Sequence, residues 1–177
     1  PWVPSKADRY FFTITSLFKT WRLAGKVDII HATLYNAAIP AFFASKLRGK
    51  KGVLSVHEVF GKRWSERFDT SFAFAKVHQF LESAILKFKF PAYVCVSNST
   101  AQDFAPHAPK KSLVEVIHNG IDNNLFDAEK YKAPQNKNFT FLFYGRPGIS
   151  KGAEILVKAA ALVRTELPDT RLKMVLA

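Results

Sequence analysis

Short apolar runs alternate with longer stretches of helical period, and this alternation constrains the fold more than any other feature of the chain. Strands are expected over residues 27–31, 52–57, 92–97 and 113–117. Helices are expected between them, over 10–23, 35–47 and 71–88. The first helix carries Ile14, Leu17, Phe18 and Trp21 on one face, and Gly25 stops it. Pro40 must sit in the first turn of the second helix or kink it. After the third strand, Ser99-Thr100-Ala101-Gln102 fits a capping box that opens a short helix. Strands that are apolar throughout, joined by helices, form a parallel sheet covered on both faces. The class is therefore α/β. Such sheets bind ligands at the carboxyl ends of their strands, so the residues just after each strand are the candidates for function.

The fourth strand runs into Asn119-Gly120, a turn signal. Residues 127–138 are polar, contain Pro134 and have no apolar period, as a linker would. A new unit follows, with a strand over 139–144, a helix over 153–165 and a strand over 171–176. One β-α-β unit is too little to bury a parallel sheet by itself. The expectation is a fragment, with domain 1–126, linker 127–138 and the start of a second domain at 139–177.

The chain has 177 residues and a formal net charge of +12. That surplus points to an anionic partner: nucleic acid, acidic phospholipid or a phosphorylated small molecule. It does not choose among them. Much of it comes early, where Lys6, Arg9, Lys19, Arg22, Lys26, Lys46, Arg48 and Lys50 face only Asp8 and Asp28. The single cysteine, Cys95, can make neither an internal disulfide nor a cysteine zinc site, and its apolar surroundings suit a buried thiol. A cytoplasmic protein is expected. No apolar run approaches the roughly 18 residues of a membrane span.

The sharpest chemical signal is Tyr144-Gly145-Arg146-Pro147-Gly148-Ile149-Ser150-Lys151-Gly152, between a strand and a helix. Gly145, Gly148 and Gly152 let backbone approach a ligand. A helix start offers unpaired N–H groups and a positive dipole end. Arg146 and Lys151 put two cations at that same end, which is unfavourable until an anion arrives. Arg can fork onto two phosphate oxygens while Lys supplies a point charge. A solvated basic loop is the bland alternative; neither the P-loop nor the dinucleotide fingerprint is present. His57 and His31 end strands, where a histidine can bond a sugar hydroxyl or move a proton, or serve only structure. His78, His107 and His118 have weaker positions. Glu58, Trp64 and Glu66, beside Lys62 and Arg63, lie in the loop after the second strand, where specificity or plain solvation are both open. No metal-ligand spacing appears, and Ser97-Asn98-Ser99 is no nucleophile elbow. A metal-free or weakly metal-dependent transferase suits these absences better than a hydrolase.

Several segments, in order, resemble the family 4 glycosyltransferases, retaining enzymes with two Rossmann-like domains (GT-B type). Asp28-Ile29-Ile30-His31-Ala32 resembles the "D-v-v-H-a" strand. Ser55-Val56-His57-Glu58 resembles the "T-x-H-[DE]" strand end. Leu81-Glu82 followed by Val94-Cys95-Val96-Ser97 resembles the helix with "E" and the "v-v-S" strand. Val116-Ile117-His118-Asn119-Gly120-Ile121-Asp122 resembles "V-I-P-N-G-V-D", with His118 in place of proline. Gly145-Arg146 through Lys151-Gly152 resembles "G-R-x-x-x-x-K-G".

The resemblance implies an N-terminal, acceptor-side Rossmann-like domain over 1–126, lacking its first strands, and a truncated donor-binding domain over 139–177. It implies transfer of a sugar from a nucleotide-diphosphate donor to a glycan or lipid-linked acceptor, with retention, and no cofactor. Gly145, Arg146, Lys151 and Gly152 would contact the donor diphosphate. His57 would lie near the transferred sugar as the catalytic residue, and Glu58, Asn119 and Gly120 near the substrate cleft. The family's glycine-rich loop and its "E-x7-E" segment find no match here, so the chain is expected to be inactive alone. A sugar-nucleotide epimerase of GT-B type fits the ordered motifs less well. Nucleic-acid binding, suggested by charge and 17 phenylalanines, is not expected, because the phenylalanines follow core patterns. Peripheral contact of the basic, aromatic first helix with anionic membrane is compatible with the transferase reading.

Overall fold

The computed structural model describes residues 6–67, 71–127, 129–131, 137–146 and 151–176. In chain order its elements are α1 (Lys6–Ala24), β1 (Ile29–Thr33), α2 (Ala38–Arg48), β2 (Lys51–Val56), α3 (Trp64–Arg67), α4 (Phe72–Ile85), β3 (Ala92–Cys95), α5 (Asn98–Phe104), β4 (Leu113–Val116), β5 (Thr140–Gly145), α6 (Ala153–Glu166) and β6 (Arg171–Leu176). Apart from α3, a short helix in the stretch read as the loop after the second strand, the longer elements fall where the apolar pattern places them, with ends displaced by a few residues. They form two units, residues 1–62 with 77–120 and residues 63–76 with 121–177.

In the first unit, β1, β2, β3 and β4 form a parallel sheet in that order. The register places Ala32 beside Leu54, Leu54 beside Tyr93 and Tyr93 beside Val114. Because strand side chains alternate, this row shares one face. Leu34, Leu54, Val56, Tyr93 and Cys95 are buried there with Ala38 and Ala41 of α2, Ile85 of α4 and Phe104 of α5. Phe42 stacks on Phe88 with ring centroids 4.5 Å apart. The Tyr93 hydroxyl donates to the Phe88 carbonyl at 2.7 Å and accepts the Phe90 N–H at 2.9 Å. Burial pushes that phenol above its ordinary range, and it does the same to the Cys95 thiol. Gly52 is set by close approach: a β-carbon there would stand 2.7 Å from Phe90 Cδ1.

One expectation fails in this unit. Among the described residues the sheet is not covered on both faces. On the second face Ile29, His31 and Thr33 of β1 are exposed, as are Leu113 and Glu115 of β4. The reason is visible in the strands: His31, Thr33, Ser55 and Glu115 make that row partly polar, so water can serve it. Of the apolar stripe of α1 only Leu17 is sheltered. Ile14 and Phe18 are 69% and 68% exposed. The helix packs on α2 and keeps Thr13, Ser16, Leu17, Thr20 and Ala24 as its sheltered side. These residues recur at helical spacing and are mostly small, so two backbones can approach closely. The Arg48 guanidinium covers the Trp21 ring from 3.9 Å.

In the second unit β5 and β6 pair in parallel, Thr140 beside Arg171 and Gly145 beside Leu176, with α6 between them in sequence. Asn138 Nδ2 donates to the Asp169 carbonyl at 2.9 Å, tying the amino end of the pair. Leu142, Ile155 and Leu162 are all at least 70% exposed, as the small size of a β-α-β unit requires.

Candidate functional site

Parallel strands bring their carboxyl ends to one edge, and the first unit's candidate residues gather there. His57 follows β2 directly and is exposed, as is Glu58. The chain around them is pinned. Ser97, extended at φ −159°, is the N-cap of α5 and accepts the Thr100 N–H at 3.1 Å. The Thr100 hydroxyl donates to the His57 carbonyl at 3.2 Å. The cap is therefore Ser97 rather than the expected Ser99. Both serines satisfy the local preference, but Ser97 leaves an extended strand, as an N-cap must.

A buried carboxylate organises the same edge. Glu82 of α4 is 2% exposed. Its Oε1 accepts the Phe60 N–H at 2.9 Å and the Tyr35 hydroxyl at 2.9 Å; its Oε2 accepts the Gly61 N–H at 2.6 Å. Hydrogen bonds to a charged group contribute about 1.5–3 kcal/mol each, and a buried carboxylate needs them. The Tyr35 hydroxyl also lies 3.3 Å from the Glu58 carbonyl. It has one proton, which the shorter contact to the carboxylate takes. Burial pushes the Tyr35 phenol far above its ordinary value, and the neighbouring Glu82 charge and hydrogen bond add to this. Tyr35 has φ +76°, a left-handed conformation that costs a bulky residue on the order of 1–3 kcal/mol. Glu82 stands in the sequence as part of a motif, but nothing local assigns it this role, since its partners lie more than 20 residues away.

The other candidates separate. His31 does not end a strand: it lies within β1, and its Nε2 is 2.8 Å from Ser55 Oγ on the open face. His118 Nδ1 lies 3.2 Å from the Val96 carbonyl, and a carbonyl only accepts, so Nδ1 carries the hydrogen. Asn119 and Gly120 follow β4 at the same edge as His57 and are exposed. His78 lies on α4, and His107 in a short turn after α5. Trp64 opens α3, between exposed Lys62 and half-buried Arg63 on one side and Ser65 on the other; the Glu66 side chain lies outside the described residues.

In the second unit the phosphate candidates sit at the carboxyl end of β5 and the start of α6. Gly152 is the N-cap of α6 at φ +69°, where a β-carbon would be strained, and no side chain caps the helix. Glycine itself offers no side chain to the helix's first N–H groups. Arg146 and Lys151 are exposed. A β-carbon built on Gly145 would lie 3.8 Å from Lys151 Cγ, so the two ends of the segment meet. Gly148 lies outside the described residues. A cavity of about 730 Å³ in this unit is lined by Thr140, Ala160, Arg164 and Arg171. It opens at the amino ends of the strands, away from Arg146 and Lys151, and is not the site. Among the described residues no three metal-ligating side chains cluster, and no helix is long and apolar enough to cross a membrane.

Comparison with known proteins bears on this arrangement. No curated protein matches the chain. Among solved structures it is similar to HepE of Anabaena. For HepE in complex with UDP and glucose the TM-score is 0.64 at 17% identity, over 89% of this chain and 42% of that one. For HepE in complex with UDP the values are 0.59 and 17%, over 90% and 51%. For HepE in complex with UDP-glucose they are 0.54 and 16%, over 91% and 52%. The chain thus spans about half the length of the solved proteins it matches, and the likeness shows an α/β fold of the GT-B type. The model of Glycosyltransferase Family 4 matches residues 1–125, and the chain belongs to that family.

Proposed function

We propose that this chain is part of a metal-independent, retaining glycosyltransferase that moves a sugar from a nucleotide-diphosphate donor to a glycan or lipid-linked acceptor. The observation that carries the reading is the start of α6, where uncapped N–H groups, left-handed Gly152 and exposed Lys151 stand beside Gly145 and Arg146. The leaving diphosphate develops negative charge, and preorganised cations and N–H groups stabilise it. In this reading Arg146 and Lys151 hold the phosphates and Gly145 and Gly152 admit them. His57 bonds the transferred sugar at the reacting centre. Glu58, Asn119 and Gly120 belong to the acceptor side. Family membership supports this, and HepE, similar in fold, has been solved with UDP and UDP-glucose. The test is calorimetric titration of the full-length protein with UDP, UDP-glucose and other nucleotide sugars. Saturable binding of at least one, weakened in Lys151→Ala, is expected; no binding by any nucleotide diphosphate refutes the reading. The isolated 177-residue chain is expected to transfer no sugar, and measurable transfer by it would show that the site is complete here.

The solvent side of α1 favours a location for this work. Phe11, Ile14 and Phe18 are exposed next to Lys19 and Arg22. A helix with apolar side chains beside cations lies in the interface of an anionic bilayer. Peripheral contact with the cytoplasmic face of a membrane fits a lipid-linked acceptor and the growth of cell-surface polysaccharide. Sedimentation with anionic but not zwitterionic vesicles, lost in Phe11→Ser/Phe18→Ser, is the expected result; equal recovery with both vesicle types counts against it.

A further inference from the structure

The loop after β2 shows solvent two side chains, both of them site candidates. Val56, Val59 and Phe60 are buried, while His57 and Glu58 between them are exposed. Three polar contacts fix the loop's backbone. Thr100 donates to the His57 carbonyl, and Glu82 accepts the N–H groups of Phe60 and Gly61. Two of the three end on Glu82, which also accepts the Tyr35 hydroxyl at 2.9 Å. Glu82 thus connects α4 with the carboxyl ends of both β1 and β2.

We infer that Glu82 and Tyr35 are positioning residues for sugar transfer: their buried hydroxyl–carboxylate pair sets where His57 and Glu58 stand. This rests on the transferase reading above. Two observations separate positioning from plain stabilisation. A buried carboxylate is a costly way to stabilise a fold, since an apolar residue of similar volume often does as well. Yet three hydrogen bonds of this carboxylate go to the carboxyl-edge loop and to Tyr35. Tyr35 in turn holds a left-handed backbone at φ +76°, where glycine would be at ease. What a tyrosine adds there is the phenol that donates to Glu82. Strain of this kind gathers where geometry must be exact enough for function.

The test uses the full-length protein with Tyr35→Phe and Glu82→Gln. Tyr35→Phe removes one oxygen and keeps the ring, so it should fold even if the second variant does not. Transfer geometry is sensitive, and kcat is expected to fall by about tenfold or more while donor KM and nucleotide affinity stay within about twofold. The pH profile of kcat should keep its shape, because the titrating groups near the sugar are unchanged. Amide hydrogen exchange at Phe60 and Gly61 should quicken in the same variants. Wild-type kcat per folded molecule in Tyr35→Phe overturns the inference, whatever happens to melting temperature. If the unmodified protein neither binds nor turns over any nucleotide sugar, the transferase reading has failed instead. The pair is then judged by exchange alone, and unchanged protection at Phe60 and Gly61 overturns it as well.

Discussion

Gly52→Ala tests the packing that sets the carboxyl edge in place. Gly52 lies in β2 beside Ile30, directly under Phe90. The added methyl would stand 2.7 Å from Phe90 Cδ1, 3.1 Å from Cε1 and 3.4 Å from Ser45 Oγ. Phe90 is 1% exposed. Its ring meets Phe42 at 5.6 Å and Tyr93 at 6.0 Å, both edge-on. Overpacking of this kind costs about 1–3 kcal/mol. Alanine recovers about 0.5–1 kcal/mol through the less flexible unfolded chain. The net loss is then about 1.5 kcal/mol, or about 3–6 °C in melting temperature for a chain of this size. Denaturant unfolding of Gly52→Ala, Phe90→Leu and the double variant measures it. Phe90→Leu costs about 1–2 kcal/mol alone, but it vacates the space the methyl needs. The double variant should be more stable than the two single losses predict, by at least about 0.5 kcal/mol. Gly52→Ala at or above wild-type stability, or strict additivity, refutes the reasoning.

Other outcomes follow from the sites. Arg146→Ala in the full-length protein should lower kcat about a hundredfold, since one preorganised cation facing the leaving diphosphate is lost; unchanged turnover in a steady-state assay removes Arg146 from that role. Ser97→Ala should cost about 1 kcal/mol in denaturant unfolding, because the Thr100 N–H loses its cap. Tyr35 carries a phenol raised above its ordinary 10.0 in the folded chain. Its stabilisation is full below that pH and is lost as pH rises above it, because the unfolded chain releases the proton first. Melting temperature should therefore fall less steeply above pH 10.0 in Tyr35→Phe than in the wild type, and identical slopes would contradict this.

The order of strands and helices is legible in the sequence because burial writes it there. Leu54 and Val56 are core, and Ala92 through Cys95 form an apolar run of strand length. What escaped was decided over distance. In α1 the period of Ile14, Phe18 and Trp21 is helical, but the mostly small residues on the adjoining side are the ones sheltered where the helix packs on α2. Ser97 and Ser99 are equal candidates until the end of β3 is known. The Glu82–Tyr35 pair spans 47 residues, and a left-handed tyrosine has no sequence signature. The Arg146 and Lys151 segment was visible for the opposite reason: its glycines and cations are local and lie where a strand meets a helix.

The strand order of the first sheet also bears on how the chain comes to be folded. Because β1, β2, β3 and β4 lie side by side in the order of synthesis, each new strand needs only the edge already formed. Ile29 finds Lys51, and Ala92 finds Leu113, across single crossovers of about twenty residues, whose closure entropy grows only slowly with length. Among these four strands none waits for a later one to be inserted beside it. They can therefore pair in that order while the rest of the polypeptide is still being made.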